Sequence, residues 1–260
     1  MVAKAEARQQ RVIVLGSGPA LSSATRDNTF FVFDSDAGSL LIDCGGSPFH
    51  KLLRIGLDPS RLSGVVLTHA HPDHVYGLAS LVHEMWLDGR TEALDIYANS
   101  HAERVALSLL DVFELRSKPL PLDFHLIPEE PGYLLTQNAG FEVRTAPVRH
   151  QVPTVAVRID SLSNGRAVAF SSDTSPCPEL VALAKGADLL FHECAVEEPD
   201  PFHSTPEDVG QVAAAAEVGR VILVHAHHSL TKEPYSSISQ IAKLYPGDVR
   251  FAEDFDVYQL

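Results

Sequence analysis

Residues 68–74 read Thr-His-Ala-His-Pro-Asp-His, and this stretch holds four side chains that can bind a metal ion. The apolar run 65–67 before it predicts a short buried strand, so the four side chains follow a strand end. Alternation puts two imidazoles on one side of the chain, and the proline then breaks the strand. Imidazole and carboxylate ligands together suit zinc and related divalent ions. The candidate ligands are His69, His71, Asp73 and His74.

Three further polar residues each follow an apolar run later in the chain. They are His150, Asp173 and His225. Strand ends are where a rigid scaffold presents side chains to a site. Taken alone, each histidine is as well explained by an exposed or satisfied imidazole, and Asp173 by a turn or a helix cap. Taken with the first cluster, they complete the ligands of two metal ions.

These seven residues resemble the signature of the metallo-β-lactamase fold hydrolases, in which His-x-His-x-Asp-His is followed by a distant His, Asp and His. The resemblance covers the chain from about residue 12 to residue 260. Within that superfamily the chain is most similar to the ribonuclease Z-like branch. This closer match is carried by Leu15-Gly16-Ser17-Gly18, Leu41-Ile42-Asp43-Cys44-Gly45, residues 73–78, Phe191-His192-Glu193-Cys194-Ala195, His203-Ser204-Thr205-Pro206 and residues 221–225.

The resemblance implies a dinuclear metal site. His69, His71 and His150 would hold one divalent ion, while Asp73, His74 and His225 would hold the other, with the Asp173 carboxylate bridging the two. Zn²⁺ is the expected metal, with Mn²⁺ or Fe²⁺ as alternatives. A hydroxide shared between the ions would be the nucleophile, because cations depress the pKa of bound water.

Glu193 and His203 match a Glu–His pair that relays a proton in the ribonuclease Z-like branch. Together with Asp73 they are the candidate catalytic residues. The sequence around His203 also predicts a loop that opens a helix at Pro206, which would fix the imidazole near the site. The alternative is a surface salt bridge without a role in the reaction.

A small anionic ester is the expected substrate, with a phosphodiester preferred. Lactonase or arylsulfatase activity on the same site, or an iron-dependent dioxygenase of the same fold, are the alternatives, and a non-catalytic binding protein is a third class. We expect tRNA to be an unlikely substrate, because the formal net charge is −14. The branch also carries a tRNA-binding arm between the third motif and the bridging Asp, and residues 151–172 leave no room for one.

Composition is typical of a cytoplasmic enzyme without a membrane segment. No apolar run reaches the roughly 18 residues that a membrane helix needs. The three cysteines, Cys44, Cys177 and Cys194, fit a reducing compartment better than a disulfide framework. The family resemblance also suggests a homodimer. The roles of His227, His228, Arg26 and Cys194 are left open.

The pattern of the chain predicts an α/β fold, and the resemblance specifies a four-layered αβ/βα sandwich of two mixed β-sheets flanked by helices. Residues 1–10 are expected to be a flexible extension, and residues 11–260 a single domain. Strands are predicted at 11–16, 28–34, 39–43, 64–68, 94–98, 188–192 and 220–225, with several short strands within 122–172. Helices are predicted at 47–56, 74–87, 101–116, 177–185, 206–217 and 234–244.

Overall fold

The computed structural model describes residues 10–138 and 140–260. The expected N-terminal extension therefore lies outside the described residues, except for its last member. Gln10 is buried, and its carbonyl accepts the backbone N–H of Leu260 at 2.8 Å. Its side-chain amide donates to the carbonyl of Gly140 at 3.0 Å.

Two seven-stranded sheets form the centre of the described part of the chain. The first contains β1 (Arg11–Gly16), β2 (Phe30–Ser35), β3 (Gly38–Ile42), β4 (Leu62–Leu67), β5 (Leu94–Ala98), β6 (Leu122–Leu126) and β14 (Val257–Gln259), in the order β14-β1-β2-β3-β4-β5-β6. The second contains β7 (Tyr133–Gln137), β8 (Phe141–Val148), β9 (Thr154–Ser161), β10 (Ala167–Phe170), β11 (Leu189–Glu193), β12 (Arg220–Val224) and β13 (Asp248–Phe251), in the order β13-β12-β11-β10-β9-β8-β7. Both sheets mix parallel and antiparallel pairs, for example β3 with β4 and β1 with β2.

Helices cover the outer face of each sheet. α1 (Pro48–Arg54), α2 (Pro72–Val75), α3 (Gly77–Leu87) and α4 (Ser100–Val112) accompany the first sheet. α5 (Pro178–Ala184), α6 (Pro206–Ala216), α7 (His228–Lys232) and α8 (Pro234–Ala242) accompany the second. The predicted four-layered sandwich of two mixed sheets is confirmed.

Alternation along the central strands explains the layers. In β2, Phe31 and Phe33 face the other sheet, whereas Phe30 and Val32 face the helices. The Phe31 ring lies 4.9 Å from that of Phe170 and 5.1 Å from that of Phe191, centroid to centroid. Because both faces of these strands are buried, they read as nearly continuous apolar runs. The resulting core holds the two sheets rigidly together below the strand ends.

The helix predicted at 74–87 is divided in the structure. α2 ends at Val75, and α3 begins at Gly77. Gly77 packs against backbone carbonyls of the 44–46 loop. A Cβ at this position would lie 2.6 Å from the carbonyl oxygen of Cys44, so the close approach requires glycine. α7, β13 and β14 were not predicted individually. No described helix is long and apolar enough to cross a membrane.

Candidate metal centre

All seven predicted ligands lie at one edge of the sandwich, just beyond strand ends. His69 and His71 follow β4, whose last residue is Leu67. His71 is extended (φ −67°, ψ 147°) and immediately precedes α2, with Pro72 in its first turn. α2 carries the other two ligands of the motif, and the His74 ring lies 4.0 Å from that of His69, centroid to centroid. Three more strands each deliver one ligand: β8 is followed by His150, β10 by Asp173 and β12 by His225.

The first ligand cluster contains His69, His71, His150 and Asp173, whose ligand atoms all lie within 4.8 Å of one another. His71 Nδ1 is 3.2 Å from His69 Nε2 and 3.1 Å from His150 Nε2. Asp173 Oδ2 is 3.8 Å from His69 Nε2 and 3.9 Å from His150 Nε2. These spacings are close to the edges of a tetrahedron around an ion with Zn–N bonds of about 2.0–2.1 Å.

The second ligand cluster contains Asp73, His74 and His225. Asp73 Oδ2 is 3.3 Å from the Nε2 atoms of both His74 and His225. Asp173 faces this cluster as well, with Oδ1 3.6 Å from His74 Nε2 and Oδ2 3.4 Å from His225 Nε2. One carboxylate thus stands between both clusters, as bridging requires.

The protonation pattern shows that these nitrogens suit a cation. His150 Nδ1–H donates to the Phe202 carbonyl at 3.0 Å, and His74 Nδ1–H donates to Asp43 Oδ2 at 2.7 Å. With Nδ1 protonated, Nε2 of a neutral ring carries a lone pair. His74 Nε2 is buried and has no good hydrogen-bond donor among the described residues. Convergent buried lone pairs without donors are what a divalent metal satisfies.

The pKa shifts differ between the two clusters. Burial, followed by the neighbouring imidazoles, lowers the pKa of His69 and His71, so these rings are neutral. Burial also lowers the pKa of His74 and His225, but the facing carboxylates together outweigh it and raise both: Asp173 and Asp73 act on both rings, and Asp43 acts on His74 as well. In the second cluster, protons therefore compete with a metal for the same nitrogens.

Asp43 is a functional residue whose role the sequence analysis missed. It follows β3 with φ +62°, a conformation uncommon for a non-glycine residue. Its Oδ1 accepts Thr68 N–H at 2.8 Å, and its Oδ2 accepts Thr68 Oγ1–H at 2.9 Å in addition to the bond from His74. The carboxylate therefore fixes the ring of one ligand and the start of the loop that carries two others. The signal was a lone acidic residue after the apolar run 40–42.

Glu193 and His203 lie together beside the first cluster. His203 Nδ1 donates to Glu193 Oε1 at 2.9 Å, and the His203 ring meets that of His150 edge to face with centroids 4.9 Å apart. Glu193 is 1% exposed and also accepts the backbone N–H groups of Thr174 and Ala195. Burial lowers the pKa of His203, but the hydrogen bond to Glu193 and the negative charges of Glu193, Asp173 and Asp200 together outweigh it and raise the pKa to about 9. Glu193 is therefore not part of an exposed surface salt bridge.

Other residues that the sequence left open have structural contacts. Arg26 binds Ser17 Oγ at 3.1 Å and the carbonyl of Ala252. His227 is exposed and caps α7, where its Nδ1 accepts the N–H of Ser229 at 3.3 Å. His228 is the first residue of α7. Cys194 is fully buried, and burial raises its thiol pKa, as expected of a small core residue.

The amino-acid sequence is similar to known proteins over most of its length. A family model described as a beta-lactamase superfamily domain matches residues 39–226. The ribonuclease Z of Parabacteroides distasonis is 25% identical, over 91% of this chain and 94% of its own length. The ribonuclease Z of Methanothermobacter thermautotrophicus is 26% identical, over 82% of this chain and 85% of its own length.

Solved structures show the same fold. The metallo-beta-lactamase fold protein YhfI from Bacillus subtilis superposes with a TM-score of 0.81 at 22% identity, covering 97% of this chain and all of that one. The short form of human tRNase Z gives a TM-score of 0.78 at 23% identity, covering 96% and 98%. A diphosphatase of the PhnP family gives 0.76 at 22% identity, covering 97% and 98%.

Proposed function

Because the chain belongs to the beta-lactamase superfamily and is a metal-dependent hydrolase of ester bonds, we propose that it cleaves a phosphodiester in a small anionic substrate with two metal ions. The observation that carries this proposal is the His203–Glu193 pair beside the seven converging ligand atoms. Seven donors suit two ions, and the pair adds a proton donor that the ions themselves do not provide.

The ligand assignment we propose follows the two clusters. His69, His71 and His150 would hold one ion, and Asp73, His74 and His225 would hold the other, while the Asp173 carboxylate faces both clusters. Nitrogen-rich ligands with two carboxylates suit Zn²⁺, and Mn²⁺ or Fe²⁺ fit the same donors. When bound, such ions supply an activated water as nucleophile and positive charge that stabilises the transition state.

Side chains of the protein would hold and donate the protons that the reaction needs. Asp73 lies in the second cluster, and the bonds from His225 and His74 hold its pKa well below its usual range despite burial, so it is an anionic acceptor. His203 carries a proton at neutral pH, since its pKa is raised to about 9. We assign it the role of general acid, which protonates the leaving oxygen while Glu193 holds the ring.

The need for a proton separates the candidate reactions. An alkoxide leaving group requires protonation, whereas the phenolate that leaves an aryl sulfate departs without it. The His203–Glu193 pair therefore favours a phosphodiester with an alcohol leaving group, or a lactone, over an arylsulfatase. An iron-dependent dioxygenase needs one metal ion and open coordination positions, and seven ligand atoms exceed that need.

The curated relatives do not support excluding tRNA. Those described above are named ribonuclease Z, and one structural neighbour is a human tRNase Z. Between His150 and Asp173, however, the structure has only β9 and β10 with their connecting turns. The third structural neighbour is a diphosphatase by name. A small phosphate ester stays our preferred substrate, and RNA belongs in the same assay.

The test compares four substrate classes on protein reconstituted with Zn²⁺ or Mn²⁺. The classes are small phosphodiesters, aryl sulfates, lactones and precursor tRNA. The small phosphodiesters are represented by bis(p-nitrophenyl) phosphate and by a dialkyl phosphodiester. We expect phosphodiester hydrolysis that Asp173→Ala abolishes and Asp248→Ala retains, because Asp248 forms only exposed ion pairs with Arg220 and Arg250. Phosphodiesters left intact by a protein that binds two metal equivalents would overturn the proposal. Cleavage restricted to precursor tRNA would replace the substrate assignment.

A further inference from the structure

His225 is held differently from the other imidazoles of the centre. Its Nδ1 is buried and has no hydrogen-bond partner in the described part of the chain, whereas His74 and His150 each donate from Nδ1 to a fixed oxygen. Its backbone is left-handed, with φ +50°, a conformation uncommon for a non-glycine residue. The only hydrogen bond of the ring to a described residue is that of Nε2 with Asp73 Oδ2 at 3.3 Å, so the main chain must help to fix the direction of this ligand.

The main chain provides that constraint. The His225 backbone N–H donates to the carbonyl of Ser17 at 3.0 Å. Ser17 is fixed in turn by Asp254, because its N–H and its hydroxyl both donate to Asp254 Oδ1, at 2.9 Å and 2.8 Å. A ligand that follows β12 is thus tied to the loop after β1 and to the loop before β14.

A partly buried ion network around Lys51 holds Asp254 itself. Its Oδ2 accepts from Lys51 Nζ at 3.1 Å and from the backbone N–H of Asp27 at 3.0 Å. Lys51 is 8% exposed, and its ammonium also pairs with Asp27 Oδ2 at 2.9 Å and lies over the Phe30 ring. A buried charge with several partners permits few arrangements, since losing one partner leaves the others unsatisfied.

We infer that Asp254 is a positioning residue for the second ligand cluster, acting through Ser17 on the backbone of His225. The inference rests on the proposed function, in which His225 binds a metal ion. Outer contacts of this kind typically change metal affinity by about 10- to 100-fold. Loss of the Asp254 contact should therefore lower the metal affinity of the second ligand cluster by that factor. The metal affinity of the first cluster should stay unchanged.

Asp254→Asn is the informative variant. The amide keeps an acceptor for Ser17 but turns a donor toward the Lys51 ammonium or the Asp27 N–H. Ser17→Ala is the milder companion, because it removes the contacts of the hydroxyl with Asp254 and Arg26 and keeps the backbone bonds. Asp248→Asn is the matched control, since its exposed carboxylate pairs with Arg220 and Arg250 at the end of β12 opposite to His225.

Two measurements decide the question on the full chain. In metal-free protein, hydrogen exchange of the His225 amide should accelerate in Asp254→Asn, less in Ser17→Ala, and not in the control. Zn²⁺ titration against a chromophoric chelator, with Co²⁺ absorption as a second readout, should show selective weakening of the second equivalent in the same order. Unchanged exchange at His225, or equal weakening of both equivalents, would overturn the inference. A wild-type protein that binds only one equivalent would instead refute the dinuclear assignment, and the exchange data would still decide the positioning role. If Asp254→Asn does not fold, Ser17→Ala carries both measurements.

Discussion

His203 and Glu193 are joined by a 2.9 Å hydrogen bond in which the imidazole donates and the nearly inaccessible carboxylate accepts. The bond directs His203 Nε2 away from Glu193 and leaves that atom available to a leaving group. Glu193 is itself fixed by two backbone N–H groups, from Thr174 and Ala195. The pair is therefore preorganised before any substrate binds.

His203→Ala should separate substrates by their leaving groups. For a dialkyl phosphodiester we expect kcat to fall by about 10²–10⁴-fold, the usual size of general acid catalysis. For bis(p-nitrophenyl) phosphate the loss should be much smaller, because nitrophenolate leaves without a proton. His125→Ala is the control, since His125 pairs with Asp95 on an exposed edge strand. Equal losses on both substrates, or metal released by the mutation, would assign His203 another role.

Glu193→Gln should lower the pKa of His203. Burial opposes the charged ring, and the Glu193 carboxylate reverses this effect and raises the pKa to about 9. An amide removes the negative charge, so the pKa should fall toward or below the ordinary 6.5. NMR titration of the metal-free protein measures the shift directly. In the kcat profile the protonated form is active, so the loss of activity with rising pH should begin at lower pH in the variant. An unchanged titration would contradict the assigned cause.

Asp43→Asn should weaken metal binding without touching a ligand. The carboxylate accepts from His74 Nδ1 and from two donors of Thr68, and an amide cannot accept all three. We expect metal affinity to fall by about 10- to 100-fold. Chelator competition provides the measurement, and Asp160→Asn, which breaks only the pair with Arg158, is the control. Wild-type affinity in Asp43→Asn would show that His74 is oriented by other contacts.

Metal should raise the melting temperature more at high pH than at low pH. Burial lowers the pKa of His74 and His225, but Asp173 and the other facing carboxylates together raise both above the ordinary 6.5. Protonation of these rings thus stabilises the metal-free fold fully below pH 6.5, and this stabilisation is lost as pH rises through the raised pKa values. A metal that binds only the native state, at a concentration of 100 times its Kd, adds about 2.7 kcal/mol to the free energy of unfolding. Calorimetry of metal-free and zinc-loaded protein at pH 6 and pH 9 tests this, and a metal effect that shrinks with rising pH would contradict it.

The sequence predicted the metal centre better than the contacts that support it. His69 to His74 could be recognised because they lie in one short motif, and strand ends identified the three later ligands. The bond between His74 and Asp43 spans 31 positions, and that between Ser17 and Asp254 spans 237. Such partners are chosen by the packing of the two sheets, so no local pattern reveals them. The assignment of individual metal ligands stays a prediction until metal is measured.

Short elements were missed for the same reason. β13 and β14 contain four and three residues, too few for a periodic signal. Each exists because a longer strand pairs with it, β12 in one sheet and β1 in the other. The expected homodimer, the cytoplasmic location and the single-domain assignment likewise stay predictions.

The tie between Ser17 and Asp254 also orders events during biosynthesis. Ribosomes add roughly 5–20 residues per second from the N-terminus, so Ser17 must wait for Asp254 before the left-handed turn at His225 can be locked. The motif at 69–74 is synthesised long before that moment, when the later ligands His150, Asp173 and His225 are still missing. Pairing between such distant segments is slow, so metal capture should follow collapse of the two sheets and not synthesis of the 69–74 motif.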